Sequence, residues 1–172
     1  ADANLVNKAK HSVLRQFTYD VEIMPDVTLN SRLAIYYDYS AHVAENDPAV
    51  RPENGSLNYR SLLQVFVPAN STLTSTENLR YEPTVTASST HTDFITQIGI
   101  DYNQNDRFQF LYTTPQLVQQ TGGYWRYKLT LQKQPGTLNE AANVQVTLPP
   151  GATIVHTSPE AAASYSLEQP IL

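Results

Sequence analysis

Apolar and polar residues alternate with period 2 through most of this chain. From Phe17 to Ile23, the apolar Phe17, Tyr19, Val21 and Ile23 alternate with Thr18, Asp20 and Glu22, the pattern of a half-buried strand. Pro25-Asp26 closes that run. Residues 32–42 resume it, with Leu33, Ile35, Tyr37 and Tyr39 opposite Ala34, Tyr36, Asp38 and Ser40, so the two runs predict a hairpin joined across 25–31. Residues 59–67 are apolar on both faces, which predicts a strand covered on both sides or central in a sandwich. Alternation returns at 94–102. A turn at Asn103-Gln104-Asn105-Asp106 then leads as a hairpin into 107–113. The clearest pattern is Trp125, Tyr127, Leu129 and Leu131 against Arg126, Lys128 and Thr130, ended by Gln134-Pro135-Gly136-Thr137. Val144, Val146 and Leu148 follow, ended by Pro149-Pro150-Gly151.

Three stretches depart from this period. Leu5, Val6, Ala9, Val13 and Leu14 stand at near-helical spacing and predict a short amphipathic helix within 4–16. Residues 45–57 read as a surface loop, and 74–92, rich in Ser and Thr around Pro83, as an edge strand or long connection. The expectation is therefore an all-β fold, one or two antiparallel β-sandwiches with a short N-terminal helix. Its expected core is Phe17, Tyr19, Val21, Leu33, Ile35, Val65, Val67, Phe108, Phe110, Trp125, Tyr127, Leu129, Val146 and Leu148.

An internal echo suggests how the strands are organised. Gln64 to Leu73 and Gln145 to Ile154 both read Q-V-x-φ-P-x-[NG]-x-T-φ, where φ is aliphatic. This predicts two similar β halves, 17–92 and 93–157, between a leading segment 1–16 and a polar, alanine-rich tail 158–172. In such halves Pro68 would match Pro149 and Leu73 would match Ile154.

At 172 residues the chain can bury roughly 70% of its unfolded surface without staples. It has no cysteine, which removes disulfides, thiolate metal sites and a cysteine nucleophile together. The net charge of -5 and singly scattered basic residues argue against nucleic acid as a partner. No apolar run is long enough to cross a bilayer, so no membrane contact is expected within this stretch. The opening Ala1-Asp2-Ala3 suggests a processed product or a piece of a longer protein.

Candidate chemistry is sparse. His11, His42, His91 and His156 lack the spacings that bring imidazoles to one metal, and no metal or cofactor is expected. Asp101 to Asp106 begins like a calcium loop but lacks its glycine and its terminal glutamate. Asp20 and Glu22 would stand about 6 to 7 Å apart on one strand face, a spacing that resembles a glycosidase pair. Their place on the polar face favours solvated carboxylates. No nucleophile elbow or phosphate-cradling glycine loop occurs, and the chain is expected not to be an enzyme. Among its 11 tyrosines, alternation puts Tyr19, Tyr37, Tyr39 and Tyr127 with Trp125 on apolar faces. Tyr36 and Tyr124 remain as exposed candidates for stacking on a sugar or a partner.

The run YRSLLQVFVPANSTL at 59–73, the run YWRYKLTLQKQPGT at 124–137 and the following VTLPPGATI resemble the C-terminal region of a bacterial family catalogued as domain of unknown function 4012. NKAKHSVLRQFTYDVEI and RLAIYYDYSAH are similar to its section just upstream, so the resemblance covers most of 7–157. It implies an extracytoplasmic module of a membrane-anchored bacterial envelope protein, acting in protein interaction or structure. It brings no catalytic or ligand-binding residues. The alternative expectation is a cell-surface carbohydrate-binding module.

Overall fold

The structure, a computed structural model, describes residues 2–4, 13–40, 57–132, 141–158, 164–165 and 170–171. These form strands β1 (Asp2–Asn4), β2 (Leu14–Ile23), β3 (Leu29–Tyr39), β4 (Tyr59–Pro68), β5 (Thr72–Glu77), β6 (Thr84–Ala87) and β7 (His91–Ile100). The order continues with β8 (Gln104–Thr114), β9 (Gln119–Thr121), β10 (Tyr124–Arg126), β11 (Ala141–Thr147), β12 (Ser164–Tyr165) and β13 (Pro170–Ile171). The fold is all-β. One sheet has the order β1-β4-β7-β6, a larger one β12-β13-β11-β2-β3-β8-β5, and β9 and β10 form a ribbon of their own. Every pairing is antiparallel except β11 with β2.

The two larger sheets face each other across an aromatic seam. Tyr37 on β3 meets Tyr59 on β4 with ring centroids 6.3 Å apart, and Tyr39 meets the same ring at 6.2 Å. Phe94 on β7 stacks on Phe110 of β8 at 6.4 Å and meets Tyr112 edge-on at 5.6 Å. Each such pair adds about 0.5 to 1.5 kcal/mol beyond the burial of its area. Tyr39 also donates from its hydroxyl to Leu57 O at 2.7 Å, tying the end of β3 to the chain entering β4.

The hairpin of β2 and β3 forms as the alternation predicts, from Leu14↔Asp38 to Ile23↔Leu29. The turn after β7 does not make the expected hairpin. Gln104 N donates to Asp101 O and Asn103 takes a φ of 61°, yet β7 and β8 lie in different sheets. That turn is a corner of the sandwich, and alternation cannot tell a corner from a hairpin because both keep one face toward the core. Among the described residues there is no helix: Asn4 belongs to β1 and residues 14–16 open β2, while 5–12 lie outside the description. Of the expected loop at 45–57, residues 45–56 lie outside it, as does the turn at 134–137. Within the expected tail, β12 and β13 pair.

The echo proves to be turn chemistry. Ser71 N donates to Pro68 O and Ala152 N to Pro149 O, with Asn70 at φ 64° and Gly151 at φ 81°, so the two turns are alike. The strands leading into them are not. β4 runs antiparallel between β1 and β7, whereas β11 runs parallel to β2 in the other sheet, and β8 lies between β3 and β5. The strands of the expected halves thus interleave, because a proline-started turn that admits positive φ serves any strand end.

Of the expected core, Tyr19, Val21, Ile35, Val65, Val67, Phe108 and Phe110 are buried. Phe17, Leu33, Tyr127, Leu129, Val146 and Leu148 are partly buried against that core, and Trp125 is exposed.

Candidate functional site

The ribbon of β9 and β10 presents the most exposed aromatic pair among the described residues. Its turn is Gly122-Gly123, with φ of 57° and 86°, between the paired Thr121 and Tyr124. Positive φ at both central residues is what a two-residue hairpin matched to strand twist requires. A Cβ would meet no atom within 4 Å at either glycine, so conformation and not space demands glycine there. At the base, Val118 is buried and Tyr127 packs partly against the core. The eight residues between them are exposed.

Tyr124 is 61% exposed, as the sequence predicts, and Trp125 is 60% exposed, which it does not. The alternation around Trp125 marks the core side at Tyr127 and Leu129, which pack partly against the core, but Trp125 itself lies on the ribbon, where residues on both faces are exposed. As neighbours in a strand, the two rings leave from opposite faces. Tyr36, the other candidate, is half-buried on the outer face of β3, across from Gln16 on β2 and Arg107 on β8. Tyr36 and Tyr124 therefore do not share one sheet face, and no flat row of aromatics forms from them.

Beneath the ribbon lies a buried polar network. Tyr19 Oη is 3.0 Å from Ser31 Oγ, and the Tyr112 hydroxyl donates to Tyr19 Oη at 3.4 Å. Burial, then the charge of and hydrogen bonding to Tyr19, push the Tyr112 hydroxyl far above the ordinary tyrosine range. The same causes in the same order raise Tyr127. These hydroxyls stay neutral and serve as structural hydrogen-bonding groups. A raised folded-state value means that their contribution to stability is complete below the unfolded value of about 10 and is lost as pH rises beyond it. The unfolding midpoint is accordingly expected to fall above about pH 10 and to fall less in Tyr112→Phe. An equal alkaline loss in both proteins would refute that origin.

The acids and histidines considered in the sequence find separate partners. Asp20 Oδ2 accepts from Arg32 Nε at 2.9 Å and from its Nη2 at 2.5 Å, while neighbouring Glu22 is exposed. Such a surface pair is worth about 0.2 to 1 kcal/mol, and Arg32→Ala is expected to lower stability by no more than that in a urea titration. Asp101 pairs with Arg60 at 3.4 Å, and Asp106 accepts from Asn78 Nδ2 and from Arg107 N. The two ends of the segment that begins like a calcium loop are thus engaged apart from each other. Among the described residues no three His, Asp or Glu side chains are grouped to hold a metal; His11 and His42 lie outside these residues.

His91 does stand between a carboxylate and hydroxyls. Its Nε2 is 3.3 Å from Asp93 Oδ1, and its Nδ1 is 2.9 Å from Thr90 Oγ1 and 3.2 Å from Ser88 Oγ. Ser88 Oγ also accepts from Thr90 N and His91 N and donates to His91 O at 3.0 Å. The cluster locks the turn into β7.

A polar groove of about 700 Å³ opens where the chain around Tyr81 faces the end of β7 and the start of β8. No sequence motif marks it, because its side chains come from four separate segments.

No family model matches the chain, and no curated protein matches it. Among solved structures it is similar to an M1 zinc metallopeptidase from Deinococcus radiodurans, with a TM-score of 0.45 and 9% identity over 92% of this chain and 38% of that one. A mutant of that peptidase bound to a Tyr-Ser-Ala substrate gives a TM-score of 0.41 and 10% identity over the same shares. The chain thus spans well under half the length of these structures, and the likeness assigns no activity.

Proposed function

We propose that the chain is a non-catalytic interaction module and that its ribbon, Gln119 to Arg126, engages a protein partner. The observation that carries this reading is an exposed Tyr124-Trp125 pair on a short ribbon whose base is held by Val118 and Tyr127. Tyr, Trp and Arg are the residues that dominate protein interfaces, and Arg126 follows the pair directly. Rings leaving opposite faces suit insertion into a cleft that closes on both sides, where a sugar-stacking platform would need them on one side. The resemblance to the envelope family supports placing this module outside the membrane, as part of a membrane-anchored bacterial envelope protein.

The test is a photo-crosslinking residue at position 125 or, separately, at position 36 of the full-length protein in its own cells. A discrete protein adduct from 125 and none from 36 is the expected result. No adduct from 125, or the same adduct from both positions, would sink the reading.

A further inference from the structure

The groove beside Tyr81 is built from an open strand edge. β6 pairs with β7 only from Thr84↔Ile95 to Ala87↔Thr92, so among the described residues no strand lies beside β7 from Thr96 to Ile100 on that side. The preceding chain is tied there by Thr96 Oγ1, which donates to Tyr81 O at 3.0 Å. The groove between that chain, β7 and the start of β8 has a volume of about 700 Å³, in the range of small-molecule sites.

Its chemistry is polar and electrically balanced. Two guanidinium groups, Arg60 and Arg80, and two carboxylates, Asp101 and Asp106, line it, so the formal charges cancel. Arg60 lies across Gly99: a Cβ there would stand 1.8 Å from a guanidinium nitrogen, so the missing side chain gives Arg60 its seat. The side-chain amides of Gln97 and Gln104 line the groove and have no hydrogen-bond partner among the described residues. Tyr81 supplies a ring that is 50% exposed, with the Arg80 guanidinium 5.4 Å from its centroid.

We propose that this groove binds a neutral oligosaccharide. Amides, guanidinium and carboxylate groups offer donors and acceptors in fixed planes, which pair with neighbouring sugar hydroxyls. An exposed aromatic ring accepts the C–H face of a pyranose. A phosphate or other anion would need a net positive wall, and the charges here cancel. A peptide added as a strand would need pockets for alternate side chains. Of the apolar residues lining the groove, Ile98, Ile100 and Phe108 are buried and Leu79 packs partly against the core, and the Thr96 bond to Tyr81 shortens the open edge. This site is separate from the ribbon and does not rest on its reading.

The test titrates the whole chain with cellohexaose, chitohexaose and a mannohexaose, with an acidic oligogalacturonate as control, following backbone amides by NMR and affinity by calorimetry. At least one neutral sugar is expected to shift the amides of Gln97 to Asp101 and Gln104. Tyr81→Ala and Gln97→Ala are each expected to weaken its binding by about tenfold or more. Gly99→Ala should weaken it as well, by displacing Arg60 without removing it, while the unfolding midpoint holds. Phe66→Ala, on the outer face of β4, should bind as the parent does. No shift of these amides by any neutral sugar at millimolar concentration overturns the proposal. So do preference for the acidic control, binding that survives Tyr81→Ala, and shifts produced only by an extended peptide.

Discussion

Phe94→Ala is expected to lower the unfolding free energy by about 3 to 5 kcal/mol, the largest stability effect among the substitutions considered. Phe94 is 0% exposed and lies between the two large sheets, stacked on Phe110 and edge-on to Tyr112. Truncation removes the transfer free energy of the ring and leaves a cavity. Collapse of that cavity is opposed on both sides, because β7 is held in register along β4 and β8 is held along β3. Phe94→Leu should recover much of the loss by refilling the volume. Urea titrations of the three proteins with a common slope provide the measurement. A midpoint for Phe94→Ala close to the parent's would mean that the sheets do not meet at this ring.

The second large effect is on association. The double variant Tyr124→Ala with Trp125→Ala is expected to bind the protein cross-linked from position 125 at least about 100-fold less tightly, since buried aromatic anchors commonly carry 2 kcal/mol or more each. Its unfolding midpoint should stay near the parent's, because both rings are exposed and surface substitutions usually stay within about 0.5 kcal/mol. The combination is what distinguishes a docking element from a packed one. Unchanged affinity would remove the ribbon from the interface, and a large loss of stability would show the rings to be buried. Replacing Gly122 and Gly123 by alanine tests the geometry separately: the two rings remain while positive φ is penalised by roughly 1 to 2 kcal/mol per residue. Affinity should fall there too, with little change in global stability.

Strand locations were legible in the sequence wherever one face of a strand meets the core. Tyr19, Val21 and Ile35 are buried where alternation places them, because a two-residue repeat is imposed by the pleat itself. The turns at Pro68 and Pro149 were legible for an equally local reason, since proline presets one dihedral and Asn70 or Gly151 accepts a positive one. Exposure of Tyr124 followed from the same alternation.

Which strands become neighbours was decided by the tertiary structure. Alternation states that a face is covered and is silent about what covers it. The turn at Asp101 to Gln104 could therefore close a hairpin or round a corner, and matching turns could follow β4 and β11 in different sheets. Trp125 shows the same limit at the candidate site. Its apolar pattern is indistinguishable from that of a core strand, and only the pairing of β10 with β9 alone, outside both large sheets, leaves the ring exposed. The groove lay further out of reach. Arg60, Tyr81, Gln97 and Gln104 come from four different segments and share no spacing rule. They meet because β6 stops short along β7 and leaves an edge open, a consequence of strand length and packing that no local pattern encodes.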